Sequence, residues 1–156
     1  MNSTTMKTFT LLIIFLSINI MTAMGQSSDQ ELRIKIDHVA ISVTDLQESE
    51  AFYRDVMGLR QIEEPFGVGR HAWFDLGAAE LHVIKAAEER RERDRSNHLC
   101  FSVEDMDEFI DKLTAHDITY YDAGGNAGEI NIRPDGIQQI YVTDPDGYWI
   151  EINDNF

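Results

Sequence analysis

Apolar and polar positions alternate over residues 34–43, IKIDHVAISV, where β-branched side chains dominate and a strand is predicted. Asp45 follows as a helix N-cap, with Glu48 three positions on to complete a capping box. Leu46, Phe52, Tyr53, Val56 and Met57 supply that helix with an apolar stripe, and Gly58 is placed to end it. Three short strands are predicted next, over 59–63, 71–76 and 80–85. The order is β-α-β-β-β.

The order then starts again. NHLCFSVEDMDEF at 97–109 lies beneath DHVAISVTDLQES at 37–49 without a gap, setting His98 under His38, Ser102 under Ser42, Val103 under Val43 and Asp105 under Asp45. Asp105 again has a glutamate, Glu108, three residues later. Met106, Phe109, Ile110 and Leu113 hold the i, i+3, i+4, i+7 spacing of a core-facing helix. Strands over 118–122, 139–143 and 149–153 complete the second unit, with Asp144-Pro145-Asp146-Gly147 as the turn before the last. The duplication predicts an α+β domain over 34–154 built from two tandem βαβββ modules, 34–85 and 97–154.

Between the modules, residues 86–96 read AAEERRERDRS. They are expected to be a solvated crossover with one or two helical turns, or a clamp in which some of Arg90, Arg91, Arg93 and Arg95 hold an anionic substrate. The stretch 124–128, GGNAG, reads as a long turn or a lid.

Residues 1–25 lie outside the repeat. They carry no acid and one base, Lys7, then the apolar run FTLLIIFLSINI at 9–20 and the small-residue exit Ala23-Met24-Gly25. That is the pattern of a secretory signal peptide, too short and too interrupted for a comfortable membrane span. It leaves 26–33 as a short linker and implies export to a periplasm or the outside, with membrane contact only in transit. The full chain has 156 residues, 28 Asp plus Glu against 13 Lys plus Arg, and a formal charge of −15; losing Lys7 makes it −16. Such acidity excludes sequence-independent nucleic-acid binding, which needs a basic surface. One cysteine excludes an internal disulfide framework and a cysteine-based zinc site.

Strand parity singles out the chemistry. His38, His82, His98 and Glu151 each sit between apolar neighbours, so each points away from the face those neighbours share. A carboxylate on a buried face is costly unless it is paired or bound to a cation. Three imidazoles and one carboxylate suit one divalent metal ion, Zn, Ni, Co, Fe or Mn. Tyr141, Trp149 and Cys100 share faces with these residues and are expected to line a substrate cavity. His71 and His116 read as ordinary.

The segments IDHVAISVTDLQESEAFYRDVMGL, NHLCFSVEDMDEF and YVTDPDGYWIEIND together resemble the vicinal oxygen chelate superfamily of glyoxalase I, extradiol dioxygenases, fosfomycin-resistance enzymes and bleomycin-binding proteins. The resemblance implies a curled mixed sheet around a metal-binding cavity, with ligands from the first and last strand of each module. Carried over, those ligands are His38, His98, Glu151 and His82, with Glu80 taking the place of His82 in a shifted register. Glyoxalase I-type members typically have a glutamate at that fourth position, which leaves Glu151 as the base for a one-base enolisation. The resemblance thus implies a lyase or isomerase acting on a small oxygenated molecule. The alternatives are a non-haem Fe(II) dioxygenase and a non-catalytic binder of a bleomycin-like cationic drug. Members of the superfamily enclose the cavity within one chain or across a homodimer.

The leader carries its own prediction. Protein recovered from the exported fraction should begin at Gln26 by intact mass and N-terminal sequencing; a mature product retaining Lys7 would contradict the signal-peptide reading.

Overall fold

Residues 33–156 are described by the computed structural model, and the predicted leader at 1–25 lies outside them. The first module runs β1 (His38–Val43), α1 (Leu46–Ala51), β2 (Gln61–Ile62), β3 (His71–Asp75) and β4 (Glu80–Lys85). The second runs β5 (His98–Ser102), α2 (Met106–Ala115), β6 (Asn131–Ile132), β7 (Gln138–Thr143) and β8 (Trp149–Asn153). Each module forms a four-stranded mixed sheet, ordered β1-β4-β3-β2 and β5-β8-β7-β6. In each, the first and last strands pair in parallel and the others antiparallel. The tandem α+β modules are as the repeat implies, but the sheets are separate and open rather than one closed wall.

The alternation in sequence becomes a division between faces. Ile41 and Val43 of β1, Leu81 and Val83 of β4, Ile140 and Val142 of β7, and Ile150 and Ile152 of β8 join one buried core. Phe52, Tyr53, Val56 and Met57 enter it from the first helical segment, and Met106, Phe109 and Leu113 from α2. Burying each large side chain stabilises by roughly 1.5–3 kcal/mol. The residues between these positions face the other way, which fixes where the histidines and Glu151 emerge.

Several boundaries differ from the sequence reading. The first strand starts at His38, and α1 is α-helical only to Ala51; Phe52–Val56 continue it as a π-helical turn, with Met57 N–H bonded to the Phe52 carbonyl at 3.0 Å. Gly58 closes the segment at φ +72, as expected of a C-cap glycine. Asp45 and Asp105 do cap their helices, accepting from the Glu48 and Glu108 amides at 3.1 and 2.9 Å. The reciprocal half of the first capping box is not what Glu48 is used for: its carboxylate pairs with Arg90 of the crossover. Residues 86–96 contain no helical turn. The predicted strand at 118–122 reduces to a single bridging residue, Tyr121, which pairs with Tyr141 and Ala127, and the short β6 takes its place beside β7.

The modules are joined by polar groups as well as by the core. The turn at 144–147 packs on the start of α1, where the Asp146 carboxylate accepts from the Thr44 amide at 2.9 Å and lies 3.3 Å from Ser49 Oγ. Asp144 accepts from Tyr53 Oη at 2.9 Å and from the Tyr148 and Asp146 amides at 2.7 and 3.0 Å. Tyr148 Oη bonds both main-chain groups of Ser42. Asp144 and Asp146 are almost fully buried. Burial pushes the Asp144 carboxyl up to about 6, against the lowering effect of the Tyr148 amide and the Tyr53 hydroxyl.

Because the folded value lies above that of the unfolded chain, ionised Asp144 costs stability above pH 6, and the cost fades as pH falls toward 4. Asp144→Asn keeps the acceptor for both amides and removes the charge. It should raise stability at pH 7 by about 1–3 kcal/mol and leave it unchanged near pH 4. Denaturant melts of both proteins across that range check this; an equal effect at both pH values would contradict it.

Candidate metal-binding half-sites

On the first sheet the polar face collects His38, Glu80 and His82. His38 lies opposite Glu80, and Ala40 opposite His82, in the parallel β1–β4 pair. Trp73 is directly across from His82 on β3. Their rings stack, with His82 3.8 Å from Trp73 and 4.2 Å from His38, both nearly parallel. His82 Nε2 is 2.8 Å from Glu80 Oε2, and His38 Nδ1 is 2.9 Å from Asp37 Oδ2. This face is open: the His38 and Glu80 side chains are 43% and 40% exposed, against 11% for His82.

On the second sheet the equivalent face is open along β5 and buried around Glu151. Glu151 is 8% exposed, beside buried Gln139, Tyr141 and Asn153. Cross-strand register puts Glu151 between Cys100 on β5 and Tyr141 on β7. Tyr141 Oη donates to Glu151 Oε2 at 2.9 Å, and Gln139 Nε2 approaches the same oxygen at 3.4 Å. Asn153 Nδ2 and the Cys100 thiol serve Oε1 at 3.2 and 3.5 Å. Burial pushes the Glu151 carboxyl up, but the Tyr141, Asn153 and Cys100 donors and the nearby His98 outweigh it and hold it below the usual range. The same burial, with the Glu151 charge, pushes the Cys100 thiol up to about 11. Cys100 is therefore a donor to Glu151, not a thiolate.

His98 completes this half. Its Nδ1 lies 2.7 Å from the Arg95 carbonyl, which only accepts, so Nδ1 carries the proton. In the neutral ring Nε2 then presents a lone pair to Glu151 Oε2, 3.3 Å away. Two acceptors at that separation require a proton or a cation between them. A ring nitrogen fixed by a carbonyl, with the other facing a carboxylate, is how metal-ligating histidines are oriented. A proton on Nε2 makes the contact an ion pair, and a divalent ion in its place would find the same two donors.

All of the residues singled out by strand parity occupy the polar faces, but they fall into two groups. His38, His82 and Glu80 belong to the first sheet; His98, Glu151, Tyr141, Cys100 and Trp149 belong to the second. Among the described residues of one chain, no three His, Cys, Asp or Glu side chains lie close enough together to hold a metal ion. The four expected ligands thus stand in two pairs, one on each of two sheets that share no strand pair. His71, read as ordinary, shares the polar face of β3 with Trp73 and sits 3.5 Å from Glu64. His116, also read as ordinary, is the C-cap of α2.

Sequence reasoning named Arg95 among four crossover arginines without ranking it. Its guanidinium lies over the Tyr141 and Trp149 rings, 5.1 and 5.5 Å from their centroids, and donates to the Asp122 and Ala123 carbonyls of the glycine-rich turn. No spacing rule separates it from Arg90, Arg91 and Arg93. Arg93 instead stacks on Tyr148 at 3.4 Å, and its carbonyl accepts from Trp149 Nε1.

Two βαβββ modules, each ending its polar face in a histidine–carboxylate pair, define the architecture, and the comparisons with known proteins agree. The model of the Glyoxalase/Bleomycin resistance protein/Dioxygenase superfamily matches residues 35–152, and this chain belongs to that superfamily. Among its relatives is the uncharacterized protein YaeR of Escherichia coli K12, 30% identical over 130 residues, covering 76% of this chain and 94% of YaeR. Glyoxylase I 4 of Arabidopsis thaliana is 28% identical over 124 residues, covering 75% of this chain and 68% of its own length. The solved structure of oxidase ChaP-H1 superposes with a TM-score of 0.65 at 26% identity, covering 80% of this chain and 98% of that one.

Removing the Tyr141 hydroxyl takes away one of the donors that hold Glu151 ionised. Tyr141→Phe should move the Glu151 titration upward, read by carboxyl-carbon NMR; an unmoved titration would show that the hydrogen bond does not set the charge state.

Proposed function

We propose that this chain is an exported metal-dependent enzyme of the glyoxalase type, a lyase or isomerase that enolises a small oxygenated substrate. The observation that carries the reading is the His98 Nε2–Glu151 Oε2 contact, in which two electron-pair donors converge at 3.3 Å with the rest of each group already hydrogen-bonded. His98 and Glu151 would hold the ion from one side, and His38 and His82 from the other. Glu80 orients His82, or replaces it as the fourth ligand.

Since the two pairs stand on separate sheets, we assign the complete site to two copies of the chain, the first module of one facing the second module of the other. A divalent ion in such a site supplies Lewis acidity toward neighbouring substrate oxygens. The protein's own groups do the rest. Glu151, kept ionised by its donors, accepts a proton at neutral pH. Tyr141 remains protonated, because burial and the Glu151 hydrogen bond raise its hydroxyl, and so stays a donor in the cavity. Trp149 and Cys100 line the wall beside them.

A second reading follows from His82. While its Nε2 is bonded to Glu80, the free donors are His38, His98 and Glu151, and two histidines with one carboxylate suit an Fe(II) oxygenase. The likeness to oxidase ChaP-H1 supports this alternative.

Metal analysis tests both. The wild-type protein should bind a divalent ion, and His38→Ala, His98→Ala and Glu151→Ala should each weaken binding by at least about tenfold. Zn, Ni or Co in the purified protein favours the lyase or isomerase, and Fe the oxygenase. Metal content unaffected by all three substitutions would overturn the site.

A further inference from the structure

Four of the nine arginines of this chain are neutralised by a neighbouring carboxylate. Arg54 pairs with Asp55, Arg60 with Asp75, Arg90 with Glu48 and Arg133 with Asp135. In a chain carrying 28 acidic residues that is the expected outcome, since a carboxylate is seldom far away. Like Arg93 on the Tyr148 ring, Arg95 is held without a carboxylate. Its partners are two neutral carbonyls, of Asp122 and Ala123, and the faces of Tyr141 and Trp149. The Asp122 carboxylate bonds the amide and side chain of Asn126 and forms no ion pair with Arg95.

A guanidinium has five N–H donors, and the two carbonyls use two of them. What remains is a positive charge, kept in place by aromatic packing and main-chain oxygens, on the same rings that border Glu151. Through its own carbonyl, the residue also fixes the tautomer of His98. A cation with spare donors beside a reacting centre, in an otherwise acidic protein, is arranged to receive an anion.

We propose that Arg95 binds an anionic oxygen group of the substrate, a carboxylate or a phosphate, so that the enzyme acts on small oxygenated acids and not on their neutral counterparts. This rests on the catalytic reading of the Glu151 face and names its substrate class. The carbonyls of Asp122 and Ala123 set the guanidinium plane, so the glycine-rich turn acts as the bracket of the anion site.

The test uses metal-free full-length protein, so that its outcome does not depend on whether the His98–Glu151 pair binds an ion. Phenylglyoxylate, phenyl phosphate and the uncharged methyl phenylglyoxylate are titrated by calorimetry. Wild-type protein should bind at least one anion more tightly than the ester, and the tighter of the two identifies the group as carboxylate or phosphate. Arg95→Gln should weaken that anion by about tenfold or more and leave the ester unchanged, while Arg95→Lys should retain part of the preference. Added salt should weaken the anion and spare the ester. Three results would overturn the proposal: a wild type with no preference for an anion, an Arg95→Gln variant that binds the anion as wild type does, or a variant that loses anion and ester alike. In the last case Arg95 serves only to hold the turn.

Discussion

Placing a carboxylate on the buried face of a strand costs several kcal/mol unless donors meet it, and the second module is organised around meeting Glu151. Tyr141 and Gln139 come from β7, Cys100 from β5 and Asn153 from the same strand two residues on, so the antiparallel and parallel pairings of β8 are both used. The crossover then brings the Arg95 carbonyl to His98, which turns the other ring nitrogen toward the carboxylate. Three of the four strands of the second sheet, β5, β7 and β8, contribute to one charge.

The duplication did not produce two equal halves. The first module offers a stacked trio of rings, Trp73, His82 and His38, on an exposed face. The second offers a buried, fully hydrogen-bonded carboxylate. One half resembles an open wall and the other a prepared anchor. What binds the modules into one unit is elsewhere, in the common apolar core and in the buried Asp144 and Asp146 of the turn that plugs the start of α1.

Much of this was legible in the residues. Period-two alternation gives the face of each strand residue whatever the tertiary structure, so His38, His82, His98, Glu151, Tyr141, Trp149 and Cys100 were placed on the polar faces correctly. Asp45 and Asp105 were legible as caps because capping is local. The failures are long-range. Glu48 has the right spacing for a capping box, but its carboxylate goes to Arg90, 42 positions away. The Asp-Pro-Asp-Gly stretch reads as a turn, yet its two carboxylates serve α1 and Tyr53 across the module boundary, 91 to 102 positions away. Tyr121 pairs with β7 only at one residue, which no strand propensity distinguishes from a full strand. Parity says which face a ligand is on, not which sheet it will meet, so the separation of the two half-sites was not visible.

That separation is the centre of the account, since the proposed metal site draws on it to combine two chains. The direct measurement is the metal content of a heterodimer assembled from His38→Ala and Glu151→Ala chains carrying different affinity tags. One of its two shared sites would combine both defects, and the other would keep both modules intact. The account predicts one tightly bound ion per heterodimer, while each parent homodimer binds weakly. A heterodimer as poor in metal as its parents would mean that each site is built within a single chain, and would contradict it.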